Sequence, residues 1–221
     1  MLPAERPSRR GFDLLAPYYR WMERALAGSR LHACRTKYLP TISNAKRVLL
    51  LGEGPGRFLC EVAQTCPSAE ITCLDSSGKM LAEARKALQV ANIGSRSIEF
   101  LHTDIFTCEF PRDHYDAVAT QFFLDCFRAD QLATLVPRIA AALAPGGAWL
   151  LADFRLPTAG PQRWRAATSL KAMYLLFRAI TAMPASRLTV PDPYLAQNGL
   201  VLIQRECIDW GFIHTDLWRK R

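Results

Sequence analysis

The stretch VLLLGEGPGRFL (48–59) decides how the rest of this 221-residue chain is organised. Four aliphatic residues run directly into Gly52, Gly54 and Gly56, three glycines at every second position. Glycine costs backbone entropy and offers no side chain for packing, so three of them at the end of a buried strand need a reason. The pattern predicts that another group comes very close to this backbone.

Downstream of residue 46, apolar runs alternate with segments of helical periodicity. Strands are predicted over 46–51, 69–75, 97–104, 115–123 and 148–154, and helices over 56–66, 77–92 and 129–147. Ser76 or Ser77 is expected to cap the second helix, and Pro145-Gly146-Gly147 to end the third. Strands that alternate with helices of this length predict a parallel sheet with helices on both faces.

The last part of the chain changes character. Residues 200–220 contain two extended segments separated by Trp210-Gly211, with no helix between them. We therefore predict an α/β, Rossmann-like doubly wound sheet of about seven strands, mostly parallel, with a C-terminal antiparallel hairpin. One domain over 1–221 is expected: a helical arm (1–45), a core (46–154), a helical insertion (155–199) and the hairpin (200–221).

Composition restricts the kind of protein. No apolar run approaches the roughly 20 residues that span a bilayer, and the charged start MLPAERPSRR has no apolar stretch behind it. The seven cysteines are odd in number and form no CxxC pair, so a disulfide framework or a metal site is not expected. These features favour a cytoplasmic protein with reduced thiols.

Charge is divided unevenly along the chain. Residues 1–47 carry a net charge of +7, residues 48–154 carry −5, and residues 155–221 carry +6. Two basic flanks around an acidic middle favour an anionic partner, which is an acidic metabolite, a membrane surface or nucleic acid. Solvated arginines without any partner would give the same distribution.

The glycine-rich turn lies where open α/β sheets bind ligands, at the carboxyl edge of the first strand. The dinucleotide fingerprint G-x-G-x-x-G would require a glycine at position 57, which is Arg57. The glycines instead read G-x-G-x-G. From residue 46 to the end of the fifth strand, the chain resembles the class I S-adenosylmethionine-dependent methyltransferases, a resemblance that the segment LAPGGAWLLADF (143–154) supports.

That resemblance implies roles for several residues beside the three glycines. Asp75, at the end of strand two, would bind the two ribose hydroxyls of S-adenosylmethionine, with Ser76 next to it in the same site. Asp104 would accept a hydrogen bond from the adenine amino group, while Ile105 offers its amide and an apolar face. Gln121 lies in ATQFF (119–123), the end of strand four, which matches the segment that faces the transferring methyl group.

The chain departs from the family pattern at one position. Members commonly carry an acid two residues before the first glycine, where this chain has Leu50. We hypothesise that Glu53 replaces this acid near the methionine ammonium group. No metal is implied.

The catalytic residue is left open by the sequence, because methyl transfer needs a base only when the acceptor arrives protonated. Candidates for this role are Tyr18, Tyr19, Gln121, Asp125 and His214, each of which also has an ordinary packing, capping or surface role. Nucleic acid is not the expected acceptor, since TQFF (120–123) lacks the polar-Pro-Pro-aromatic motif of amino-methylating enzymes.

Two accessory segments bear on the acceptor. In the arm, Phe12, Asp13, Ala16 and Tyr19 resemble the opening of the quinone-biosynthesis C-methyltransferases. The insertion carries Leu170, Met173, Tyr174, Phe177 and Ile180 on one helical face, which would line an acceptor pocket, contact a membrane peripherally or pack in the core.

The sequence therefore predicts methyl transfer from S-adenosylmethionine to a small hydrophobic or aromatic acceptor, by O- or C-methylation. An NAD(P)-dependent oxidoreductase, and a catalytically silent S-adenosylmethionine-binding partner or sensor, remain as alternatives.

Overall fold

A computed structural model describes residues 13, 29–94, 97–157, 160–181, 185 and 187–221. The helices are α1 (Ser29–Thr36), α2 (Arg57–Thr65), α3 (Gly78–Val90), α4 (Ala129–Ala142), α5 (Pro161–Thr181) and α6 (Asp192–Gln197), with 3-10 turns at Leu39–Ile42 and Leu124–Cys126. The strands are β1 (Arg47–Leu51), β2 (Glu70–Asp75), β3 (Ile98–His102), β4 (Tyr115–Gln121), β5 (Leu143–Phe154), β6 (Leu200–Ile208) and β7 (Ile213–Lys220).

The seven strands form one sheet in the order β3-β2-β1-β4-β5-β7-β6. Strands β1 to β5 pair in parallel, whereas β7 runs antiparallel between β5 and β6. This confirms the predicted fold class. The carboxyl ends of β1, β2 and β4 therefore meet at one edge, and β7 starts at that edge because Ile213 pairs with Phe154.

Strand β1 lies in the middle of the sheet and is buried on both faces. Val48 and Leu50 join the apolar layer beneath α2 and α3, while Leu49 and Leu51 join the layer beneath α4. A central parallel strand needs such a continuous apolar run, because helices cover both of its faces. The glycines after Leu51 therefore follow a strand that is held in place by packing on both faces.

Two predicted boundaries are corrected by the structure. Helix α4 ends at Ala142 rather than at residue 147, and LAPGG (143–147) already belongs to β5. Leu143 pairs with Tyr115, and a register shift before Ala117 absorbs the irregular Pro-Gly-Gly segment. At the start of α3 the cap is Ser77, whose Oγ accepts the Met80 N–H at 3.1 Å.

The accessory segments are only partly described. Phe12, Ala16, Tyr18 and Tyr19 lie outside the described residues. Asp13 is described, and its Oδ1 accepts the Ser77 hydroxyl at 2.5 Å, so the arm reaches the start of α3.

Helix α5 turns its predicted apolar face toward the domain. Leu170 and Tyr174 are buried, and Met173 and Phe177 pack against the same cluster. Four of the five residues of this face therefore pack in the domain.

Candidate active site

A cleft opens at the carboxyl edge of the sheet between β1, β2, β3 and β4. Its empty space, counted together with the part open to solvent, is about 840 Å³. Its lining residues are Gly52, Gly54, Leu74, Asp75, Ser76, Met80, Thr103, Asp104, Ile105, Phe106, Phe122, Phe123, Cys126 and Phe127. Six of the nine cofactor-binding residues expected from the sequence line this cleft; Glu53, Gly56 and Gln121 do not.

The three glycines share a left-handed backbone, with φ between 66° and 84°, but they meet different neighbours. A Cβ on Gly52 would lie 2.1 Å from Cδ2 of Phe123, and one on Gly56 would lie 2.5 Å from Cα of Ala84. A Cβ on Gly54 would have no atom within 4 Å. Gly54 is thus the glycine that leaves backbone open to the cleft, whereas Gly56 allows α2 and α3 to pack closely.

Asp75 is a buried carboxylate at the end of β2. Its Oδ2 accepts the Gly54 N–H at 3.1 Å and its Oδ1 accepts the Ser77 N–H at 2.8 Å. Burial raises the pKa of Asp75 to about 6, although these two amides favour the ionised form. The carboxylate therefore joins the glycine-rich turn to α3 and keeps lone pairs for hydroxyl donors in the cleft.

The turn after β3 forms the opposite wall. Asp104 accepts the Phe106 N–H at Oδ1, 3.0 Å away, and Ile105 is buried. Arg138, on α4, donates from its guanidinium to the carbonyls of Ile105, Phe106 and Cys108. No sequence motif pointed to Arg138, because its partners are about thirty residues away in the chain.

Glu53 turns toward α2. Its Oε1 accepts the Leu59 N–H at 2.9 Å, which satisfies a donor of the first helical turn. Burial raises its pKa to about 7, and the charge of Arg35 acts in the opposite direction. Arg35, on α1, lies over the ring of Phe122 at 5.1 Å. A role for Glu53 toward an ammonium group stays a prediction.

Gln121 ends β4 with its side chain 8% exposed. Among the described residues, its Oε1 is a buried acceptor without a hydrogen-bond partner. Buried polar atoms are nearly always satisfied, so this oxygen is an acceptor whose donor is not supplied by the described residues.

A second polar cluster lies directly beside the cleft. Asp125 and Asp153 are buried, and their carboxyl groups are close enough for each to shift the pKa of the other. Asp153 also accepts the Asp125 N–H at 3.0 Å and the Phe154 N–H at 2.9 Å. Burial raises the pKa of both acids, that of Asp125 to about 6, and their proximity keeps one proton in the pair.

The surroundings of this pair connect it to the cleft and to α5. The Cys126 thiol donates to Asp125 Oδ1 at 3.6 Å, and Cys126 lines the cleft. The Tyr174 hydroxyl donates to the Asp125 carbonyl at 3.1 Å. Asp125 was a candidate from sequence; Asp153 was missed, because it ends an apolar strand that carries no motif.

His214, another sequence candidate, pairs across the strands with Asp153 but bonds elsewhere. Its Nδ1 lies 3.0 Å from Asp216 Oδ1, and Arg205 donates to both oxygens of Asp216. Burial acts to raise the pKa of Asp216, but these hydrogen bonds outweigh it and lower the pKa. His214 is therefore part of an ion network that supports the hairpin.

The cleft has the features that S-adenosylmethionine would need. Gly54 leaves open backbone and Asp75 has lone pairs for hydroxyls, while Gln121, which does not line the cleft, has a buried acceptor oxygen at the end of β4. Within the described part of the chain, no group of three or more His, Cys, Asp or Glu side chains is arranged to hold a metal ion.

Comparison with known proteins places this architecture. Residues 48–147 match a family model described as a methyltransferase domain. A demethylmenaquinone methyltransferase of Thermus thermophilus is 29% identical over 151 residues, which cover 67% of this chain and 66% of that protein. A trans-aconitate 2-methyltransferase of Paracidovorax citrulli is 35% identical over 107 residues, or 48% of this chain and 38% of that protein.

The solved structure of the mitomycin 7-O-methyltransferase MmcR has the same fold. It superposes with a TM-score of 0.70 over 97% of this chain and 61% of that chain, at 21% identity. The present chain thus spans less than two thirds of the length of each of these three proteins.

Proposed function

Because the chain belongs to the class I S-adenosylmethionine-dependent methyltransferases, we propose that it transfers a methyl group from this cofactor to a small apolar or aromatic acceptor. The observation that carries the proposal is the cleft itself. Open backbone at Gly54 and the carboxylates of Asp75 and Asp104 meet there at the carboxyl ends of three neighbouring strands. When bound, the cofactor supplies an activated methyl group and leaves as the neutral thioether.

The residues of the cleft would divide the binding of the cofactor among them. Asp75 would accept from the ribose hydroxyls, while Asp104 and Ile105 would hold the adenine. Gly52 and Gly54 would lie along the methionine portion, and Gln121 would accept from its ammonium group. The protein's own task is then to align the acceptor and exclude water.

Phenylalanines favour an apolar or aromatic acceptor. Phe122, Phe123 and Phe127 line the cleft together with Phe106, and Phe106 and Phe123 each pack edge-on against Phe127. Burying an apolar or aromatic ring against these phenylalanines contributes more binding free energy than placing a polar group there. The similarity to a protein named for demethylmenaquinone supports the same acceptor class, whereas the similarity to one named for trans-aconitate does not.

The Asp125–Asp153 pair would take the acceptor's proton. With one proton shared, the pair has one carboxylate free to remove a proton from a hydroxyl group of the acceptor. The lone pair left on the acceptor, on oxygen or delocalised onto carbon, then forms the new bond to the methyl group. Asp125 is adjacent to Cys126 in the cleft wall, so the proton has a short path.

The proposal is tested by isothermal titration of the protein with S-adenosylmethionine and, separately, with NADH. Asp75→Asn should weaken S-adenosylmethionine binding at least tenfold, because the variant loses the charge that strengthens hydrogen bonds from two hydroxyls. Asp116→Asn is the matched control: Asp116 accepts two backbone amides, those of Lys46 and Arg47, at the opposite edge of the sheet. Its affinity should be unchanged.

Saturable NADH binding without a response to S-adenosylmethionine would overturn the assignment in favour of an oxidoreductase. Intact S-adenosylmethionine affinity with no methyl transfer to any of a panel of phenols and quinols would favour a silent binding protein.

A further inference from the structure

Two exposed tryptophans stand on one edge of the molecule. Trp164, in the first turn of α5, is 78% exposed, and Trp210, in the β6–β7 turn, is 70% exposed. Asp209, next to Trp210, connects the β6–β7 turn to α5, because its Oδ1 lies 3.4 Å from Arg165. The same oxygen lies 3.1 Å from Arg30 on α1. Large aromatic side chains on a surface are costly to leave in water, so the pair needs an explanation.

The outer face of α5 continues this surface. Trp164, Lys171, Leu175 and Arg178 follow one another at helical spacing and are all exposed. Residues 154–191 contain six Lys or Arg and no Asp or Glu. We call Trp164, Trp210 and this outer face the tryptophan edge; it combines apolar side chains with the positive charges of Lys171 and Arg178.

The tryptophan edge lies at the same end of the sheet as the cleft. Phe122 lines the cleft and packs on Phe154, with ring centroids 5.0 Å apart, and Phe154 packs on Phe212 at 5.3 Å. Phe212 is two residues from Trp210 in the β6–β7 turn. A row of three packed aromatic rings therefore runs from the cleft to the β6–β7 turn that carries Trp210.

We propose that the tryptophan edge docks the protein on the surface of an anionic lipid bilayer. Tryptophan rings settle at the headgroup level of bilayers, and arginine or lysine side chains beside them are attracted to anionic lipids. Leu175, which is 61% exposed, favours a bilayer over nucleic acid as the partner. An aliphatic side chain gains free energy when it is buried among acyl chains, but it offers no aromatic ring on which a base could stack. No helix of the described residues is long and apolar enough to cross a membrane.

Docking in this orientation would bring the mouth of the cleft to the bilayer. A lipophilic acceptor would then reach the phenylalanine-lined cleft without crossing water. The proposal itself does not depend on methyl transfer, because lipid binding is measured without turnover.

The test is co-sedimentation of the purified protein with vesicles of phosphatidylcholine alone and of phosphatidylcholine with about 30% phosphatidylglycerol, in about 0.1 M salt. We expect binding to the anionic vesicles at least tenfold tighter than to the neutral ones. The double variant Trp164→Ser/Trp210→Ser should lose at least tenfold in this affinity, and Lys171→Glu/Arg178→Glu should lose a similar factor.

Val90→Ser is the matched control, because Val90 is 86% exposed at the far end of α3, toward the opposite edge of the sheet. It should bind vesicles like the wild type, and all variants should keep the wild-type melting temperature and S-adenosylmethionine affinity. The proposal is overturned by equal binding to neutral vesicles, by unchanged binding of the tryptophan variant, or by an edge that instead binds an oligonucleotide or a second copy of the chain.

Discussion

At the scale of single residues, the sequence shows three equivalent glycines and the structure gives them three roles. A positive φ and a close neighbour could be expected from the G-x-G-x-G spacing alone. Which neighbour each glycine meets could not, because Phe123 and Ala84 come from elements that pack only in the folded chain. The same holds for Asp153, whose partner Asp125 lies on a different strand connection.

Substituting alanine at Gly54 and at Gly56 should separate binding from packing. Both changes strain a left-handed backbone by about 1–2 kcal/mol. Gly56→Ala also forces a Cβ against the α3 backbone at 2.5 Å, so its free energy of unfolding should fall by about 2 kcal/mol more than that of Gly54→Ala. If Gly54→Ala folds like the wild type, it should lose more cofactor affinity than Gly56→Ala. Urea unfolding and titration measure the two effects, and equal losses of stability would contradict the assignment.

The raised pKa of Asp125 predicts how stability changes with pH. The carboxyl binds its proton more tightly in the folded than in the unfolded protein. It therefore does not lower the free energy of unfolding below pH about 4, and it destabilises the fold as the pH rises through about 6. A shift of this size corresponds to about 3 kcal/mol above pH 7. Between about pH 4.5 and 8, the melting temperature of Asp125→Asn should therefore fall less than that of the wild type.

Glu53 and Asp75 titrate in the same range but are present in both proteins, so the difference reports the Asp125–Asp153 pair, because Asp125 also raises the pKa of Asp153. The same variant should transfer methyl groups at least 100-fold more slowly to a hydroxyl-bearing acceptor at neutral pH. If the melting temperatures of the two proteins changed equally with pH, or if the rate of methyl transfer were unchanged, Asp125 would not belong to the proton path.

At the scale of elements, local periodicity predicted the strands and helices of the core because each carries its own apolar pattern. It failed where two elements share a segment. LAPGG (143–147) has the composition of a helix stop, yet it joins β5 because its partner β4 is available for pairing. For the turn after β3, the sequence indicated Asp104 and Ile105 but not the arginine on α4 that holds them.

Arg138→Met tests this support. The variant keeps the aliphatic stem of the side chain and removes the donors to three carbonyls of the turn. Since the turn forms the adenine wall of the proposed site, cofactor affinity should fall about three- to tenfold. Titration calorimetry measures this loss, and Arg138→Lys, which retains one charged donor group, should recover part of it. An affinity equal to that of the wild type would show that the turn is held by other contacts.

At the scale of the whole molecule, the topology brings chemistry-bearing residues of distant segments to one edge. The glycine-rich turn, the acids after β2 and β3, the Asp125–Asp153 pair and the tryptophan edge all lie at the carboxyl ends of the parallel strands. The alternation of strands and helices predicted this edge. The position of β7 between β5 and β6, which places Trp210 there, depends on pairing that no local pattern encodes.

The central claim is that this edge binds S-adenosylmethionine through Gly54, Asp75 and Asp104. A crystal structure of the protein with S-adenosylhomocysteine would show whether it does. We expect the ribose hydroxyls on the Asp75 carboxylate and the adenine between Asp104 and Ile105. A cleft left empty at saturating ligand, with the ligand bound elsewhere or not at all, would contradict it.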